Sequence, residues 1–208
     1  NAYLEKSTVL KPEDIIPSLL DAFTVDGTIY GIPKDFNTLA VFYNKDLFDY
    51  AGVEYPNNED TWDTFYAKLE QVAAIDPDIY GLALQPEFAR FGALAFAAGF
   101  TPFNAEGKSD LSDPAFVEAI KWYTGMAETG VGVMPQDISQ GWGGGALASE
   151  QVAVALEGAW IIGALKSDAP NLQYGACLMP KHPGTGQRGN FVYTVAWGMN
   201  AASAHKEA

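Results

Sequence analysis

Apolar positions fall along the chain in two alternating patterns. Leu39–Tyr43 (LAVFY) is an unbroken apolar run, the pattern of a strand covered on both faces. Thr28–Pro33 predicts a short strand after an Asp26-Gly27 turn. Ile79–Leu84, Val152–Leu156, Gln173–Met179 and Phe191–Met199 predict further strands. Between them the period lengthens. Trp62, Phe65, Leu69 and Val72 lie at i, i+3, i+7 and i+10 behind a Thr61 N-cap, which predicts a helix that Asp76-Pro77 ends. Asn44 caps a shorter helix through Tyr50, with Gly52 as its terminator. Glu87–Ala98 predicts a mostly apolar helix ending at Gly99. Asp113-Pro114 opens another, with Val117, Ile120, Thr124 and Ala127 along one side. Trp160–Lys166 is the last. Asn104–Lys108 is a polar turn, residues 130–145 a loop, and Pro180–Gly189 a hinge or site loop. Strands and helices alternate, so the fold class is α/β.

Composition narrows this only a little. The 208 residues allow one large domain or two small ones, and 48% apolar content gives either a core. Twenty-six acidic against twelve basic residues give a formal charge of −14, which disfavours nucleic acid and anionic membrane surfaces as partners. One cysteine and two histidines disfavour a structural zinc site and exclude an internal disulfide. No apolar stretch approaches the length of a membrane span. The chain opens as NAYLEKSTVL and stops at SAHKEA, which is expected of a piece of a longer protein.

Catalytic motifs are missing: there is no G-x-S-x-G, H-E-x-x-H or Walker loop. Gly143-Gly144-Gly145 lacks the Lys-Ser/Thr of a phosphate loop and predicts a flexible turn. His182 and His205 are expected to be solvated, and Cys177 to be a small core residue. What the chain does offer is aromatics at the ends of predicted elements: Phe88, Phe91, Trp142 and Trp160. Sugar rings stack their C–H faces on such rings while their hydroxyls take planar polar partners. Asp35, Asn37, Glu87, Arg90, Glu157 and Asn190 are candidates for the polar role. Against this stands the plain alternative, in which each aromatic packs a core and each Asp or Asn serves a turn or cap.

The stretch DGTIYGIPKDFNTLAVFYNKDLFDYAGVEYPNNEDTWDTF resembles the central segment of extracellular solute-binding proteins of bacterial ABC sugar importers, the family that includes maltodextrin-binding protein. LSDPAFVEAIKWY, EQVAVALEGAWIIGAL and NFVYTVAWGMNAAS before KEA agree in order and spacing, so the resemblance covers nearly the whole chain. YNKDLF, TWDTF and ALEGAW together are fairly specific, although the small-residue pattern ahead of ALEGAW is matched only loosely.

The resemblance implies a periplasmic-binding-protein type II-like fold, mainly one lobe of a two-lobed receptor. Residues 1–36 would be a stub of the first lobe with the first crossover, 37–190 the second lobe, and 191–208 the return crossover. It also implies a non-enzymatic receptor that binds a sugar or oligosaccharide between its lobes and delivers it to membrane-embedded ABC permease subunits. Such a receptor would be a monomer, extracellular or periplasmic, anchored by lipid if its N-terminus carries an anchor. It would have no catalytic residue, metal or cofactor. Trp160 would stack on the sugar. Asp35 and Asn37 would offer polar contacts at the first crossover, and Phe88, Arg90 and Phe91 would share an aromatic subsite. Trp142 and Glu157 would lie at the same site, and Gly189 and Asn190 would present backbone N–H groups. Three alternatives remain open: the same fold binding a polyamine or other small polar solute, a glycosidase-like enzyme with paired carboxylates, and a lone lobe that binds nothing tightly.

Overall fold

The computed structural model describes residues 2–206. In chain order the elements are α1 (Ala2–Lys6), α2 (Pro17–Asp21), β1 (Thr24–Val25), β2 (Thr28–Ile29), β3 (Ile32–Asn37), β4 (Ala40–Asn44), α3 (Lys45–Ala51), α4 (Trp62–Ala73) and β5 (Tyr80–Ala83). Then follow α5 (Phe88–Ala98), α6 (Pro114–Glu128), β6 (Gly132–Val133), α7 (Gly143–Ala148), β7 (Val152–Glu157), α8 (Trp160–Asp168), β8 (Tyr174–Cys177) and β9 (Tyr193–Trp197). They divide into two compact units. One holds the residues up to Asn37 and from Val192 onward, and the other is Thr38–Phe191.

In the first unit β1 and β2 form a small hairpin, and β3 pairs antiparallel with β9, with a bulge between Pro33 and Asp35. The strand expected over Thr28–Pro33 is therefore two strands, β2 and the start of β3, separated at Tyr30 and Gly31. The strand expected over Phe191–Met199 contracts to Tyr193–Trp197, where β3 supplies its partner.

The second unit is built on a five-stranded sheet in the order β6-β5-β7-β4-β8. β5 runs parallel to β6 and β7, while β4 runs antiparallel to β7 and β8. All six residues of β7 are buried, as a central strand covered on both faces requires. Helices α4 and α7 pack on this sheet. Asn44 caps α3, accepting at Oδ1 from the N–H groups of Asp46 and Leu47, and Gly52 ends it at φ +68°. Thr61 and Thr64 form a reciprocal capping box on α4, whose Trp62, Phe65, Leu69 and Val72 are all buried.

Three expectations are corrected. The buried stripe of α6 is Phe116, Ala119, Tyr123 and Met126, not the stripe one residue further on. Both stripes have the same spacing. The large rings decide between them, because Phe116 packs edge-on against Phe91 at 5.5 Å and Tyr123 lies 6.1 Å from Phe91. Residues 130–145 are not a loop throughout: they hold β6, a 3-10 turn at Pro135–Ile138 and the start of α7, which the three glycines open. His182 is buried rather than solvated. The loop folds back, so that Thr185 N–H donates to its Nδ1 at 3.1 Å, its Nε2 faces a Glu118 carboxylate oxygen at 3.1 Å, and its edge meets the Trp62 ring. Cys177 is half-buried on β8, and burial pushes its thiol up to about 11.

Candidate functional site

The end of β7 and the first turn of α8 place a carboxylate and an indole three residues apart. Glu157 is the last residue of the central strand and has 0% exposure, and Trp160 opens α8 at 36%. Gly158, between them, is required by close approach. A Cβ there would overlap the six-membered ring of Trp160, so the indole lies down over the backbone of the turn. The indole Nε1–H donates to Glu157 Oε2 at 2.8 Å.

Two further donors reach the same carboxylate. Arg90, on α5, donates from Nη2 to Oε2 at 3.0 Å, and its guanidinium carbon sits 5.7 Å from the Trp160 ring centroid, over the face of the ring. Gln85, just beyond β5, donates from Nε2 to Oε1 at 2.8 Å. The Gln85 amide can point only one way. Its Oε1 accepts the Gly143 N–H at 3.1 Å, which turns the NH₂ toward Glu157. Gln85 is itself fixed from behind, because the Tyr123 hydroxyl is hydrogen-bonded to both its backbone N–H and its carbonyl. Tyr123, among the most deeply placed polar groups here, has its phenol pKa pushed up by that burial.

Glu157 is under opposing influences. Burial pushes its carboxyl above the ordinary glutamate value, while Arg90, Trp160 and Gln85 pull it back, and burial prevails. Both carboxylate oxygens are engaged and the side chain has no exposed surface, so the group faces inward and is closed to a solute. Glu87 reaches Arg90 only loosely, at 3.8 Å, and remains mostly exposed.

Thus Arg90, Glu157 and Trp160 come together, and they are joined by Gln85 and Gly143, which sequence reasoning missed. Gln85 carries no signal beyond its place at a strand end, and Gly143 was read only as part of a flexible turn. The other expected residues are placed differently. Phe88 and Phe91 belong to an aromatic cluster with Phe96, Phe116 and Phe191, in which Phe88 remains 40% exposed. Trp142 caps the start of α7 and is partly buried, with its ring over Gly144 and against the sheet core. Asn190 is committed to the backbone: its Oδ1 accepts from Leu39 N–H and Phe191 N–H, and its Nδ2 donates to Leu39 carbonyl, all at 2.8 Å. Gly189 is buried so close to α5 that a Cβ would overlap the Ala93 carbonyl oxygen. Asp35 and Asn37 lie on β3 in the other unit, where Asp35 pairs with Lys34 at 2.7 Å and Asn37 is opposite Tyr193. A mostly apolar groove of about 370 Å³ between α6 and the β5–β6 edge is lined by Tyr80, Tyr123 and Met134 and reached by Gln85, but neither Arg90 nor Trp160 lines it.

Among the described residues no group of three His, Cys, Asp or Glu side chains is placed to hold a metal, and no helix is long and apolar enough to cross a membrane.

The chain belongs to the bacterial extracellular solute-binding protein family, whose model matches residues 1–208. It is 31% identical over 202 residues to a binding protein of Brucella abortus, a match that covers 92% of this chain and 47% of that protein. To the lactose-binding protein of Rhizobium radiobacter it is 27% identical over 158 residues, covering 71% of this chain and 35% of that one. An ABC substrate-binding protein of Listeria monocytogenes, solved in complex with cycloalternan, superposes with a TM-score of 0.82 at 25% identity and covers 99% of this chain and 52% of its own. The chain therefore spans about half the length of the relatives it matches, and these relatives are named as binding proteins.

Proposed function

We propose that this chain contributes one wall of the binding site of an ABC-importer receptor, and that the solute is a sugar or oligosaccharide stacked on Trp160. The observation that carries this reading is the state of that indole. It is neither packed away nor loose: a third of it is open to solvent, its N–H is held at 2.8 Å, and a guanidinium backs its ring. A fixed aromatic face with polar groups at its margin is what the apolar face of a pyranose requires. The names of relatives that bind lactose and cycloalternan support the same class of ligand. The burial of the Glu157 carboxylate beneath three donors counts against its pairing with a polyamine, which needs an accessible anion.

In this reading the protein acts outside the cytoplasmic membrane as a monomeric receptor, not as an enzyme. Closure of the full-length receptor around its solute presents it, loaded, to the permease. Binding would then select the closed state.

A thermal-shift panel of lactose, mannitol, maltotriose and putrescine on the intact protein tests this. A saturating sugar is expected to raise Tm by about 5 °C or more. A shift with putrescine alone, or turnover of an aryl glycoside, contradicts the proposal.

A further inference from the structure

Glu157 has no exposed surface, yet its carboxylate is the one point at which three side chains of the site converge. Arg90 comes from α5, Trp160 from α8 and Gln85 from the segment just beyond β5. Each donor arrives from a different segment, and each has a hydrogen that needs an acceptor in this place. Only a carboxylate held between them offers two oxygens at the spacing observed. The Gln85 amide cannot turn over to help, because its carbonyl is engaged with Gly143 N–H.

We infer that Glu157 is a positioning residue that never touches the solute: with Gln85 it fixes the plane of the Trp160 indole and holds the Arg90 guanidinium against that ring. In its ligand part the inference rests on the proposed function; in its geometric part it stands alone.

The hydrogen-bond directions make the test specific. With Glu157→Gln the amide at 157 has a single oxygen. Facing it to Trp160 and Arg90 sets its NH₂ against the NH₂ of Gln85, and facing it to Gln85 sets its NH₂ against the Trp160 and Arg90 donors, so the clamp fails. In the exchange variant Gln85→Glu/Glu157→Gln every hydrogen finds an acceptor again. The carboxylate at 85 takes Gly143 N–H and one amide hydrogen from 157, and the oxygen at 157 takes Trp160 and Arg90.

Exchange of the Trp160 indole N–H, assigned by its loss in Trp160→Phe, reads this out in the intact protein. In the wild type it is expected to exchange about tenfold or more slowly than the indole N–H of the 70% exposed Trp197. Glu157→Gln should lose that protection and the exchange variant should regain it. Lactose affinity is expected to fall about tenfold in Glu157→Gln and to recover in the exchange variant. A wild-type Trp160 indole that exchanges as fast as that of Trp197 overturns the inference without any variant having to fold. So does a folded Glu157→Gln with protection intact, or a folded exchange variant without it. Restored protection with no sugar bound by the wild type would instead overturn the proposed function and leave the positioning role standing.

Discussion

Glu157 combines a role in aiming an indole with a cost to the fold. Its burial raises the carboxyl pKa above the ordinary glutamate value, so folding favours the protonated form. The sign follows directly. Its contribution to stability is complete below the ordinary value and is lost as pH rises through the raised one. Urea unfolding of wild type and Glu157→Gln between pH 4 and pH 8 isolates this, since the other titrations largely cancel in the difference. The wild type is expected to lose ground relative to the variant as pH rises; a gap that widens in its favour contradicts the assignment. At the residue scale the sequence was legible where chemistry and context coincide. ALEGAW holds Trp160 and Glu157, and Arg90 stood among the polar candidates; the fold brings the three together. The sequence did not distinguish a carboxylate that meets solute from one that braces an indole, because that depends on which donors the fold brings from residues 85 and 90. The reverse holds at His182, where a Pro/Gly-rich loop points to exposure. The fold places the ring beside Trp62 and Glu118.

Most elements were legible because their ends carry local chemistry. Asn44, Thr61 and Asp113 each cap a helix through a side-chain oxygen, and this chemistry depends on a few neighbouring residues. The α6 face was not legible, since two stripes one residue apart share one period and only the facing rings of α5 choose between them. Residues 130–145 were missed for a related reason. Glycines are poor helix formers, and α7 is held by packing on the sheet instead of by propensity. Asn190 is an element-scale device as well. It ties the segment leaving the second unit to Leu39 at that unit's entrance, through both the N–H and the carbonyl of a buried residue. Asn190→Ala is expected to destabilise the fold by about 1–3 kcal/mol by leaving those groups unpaired. The midpoint of urea unfolding measures it, and an unchanged midpoint would show that the tie is dispensable.

For the whole molecule, the α/β class and the family both emerge from short motifs in the right order, and the fold agrees with solved receptors over nearly the full chain. The net charge of −14 shaped expectations about nucleic acid and membranes, but it identified no solute. Solute identity depends on hydroxyl geometry around a fixed ring, and this chain is about half the length of its relatives. The central claim is that Trp160 is the platform. A crystal structure of the intact protein soaked with a sugar found in the thermal-shift panel tests it most directly. The account predicts a pyranose stacked on the Trp160 indole, with Glu157 still buried and out of contact. A sugar bound elsewhere, out of contact with the indole, would contradict it.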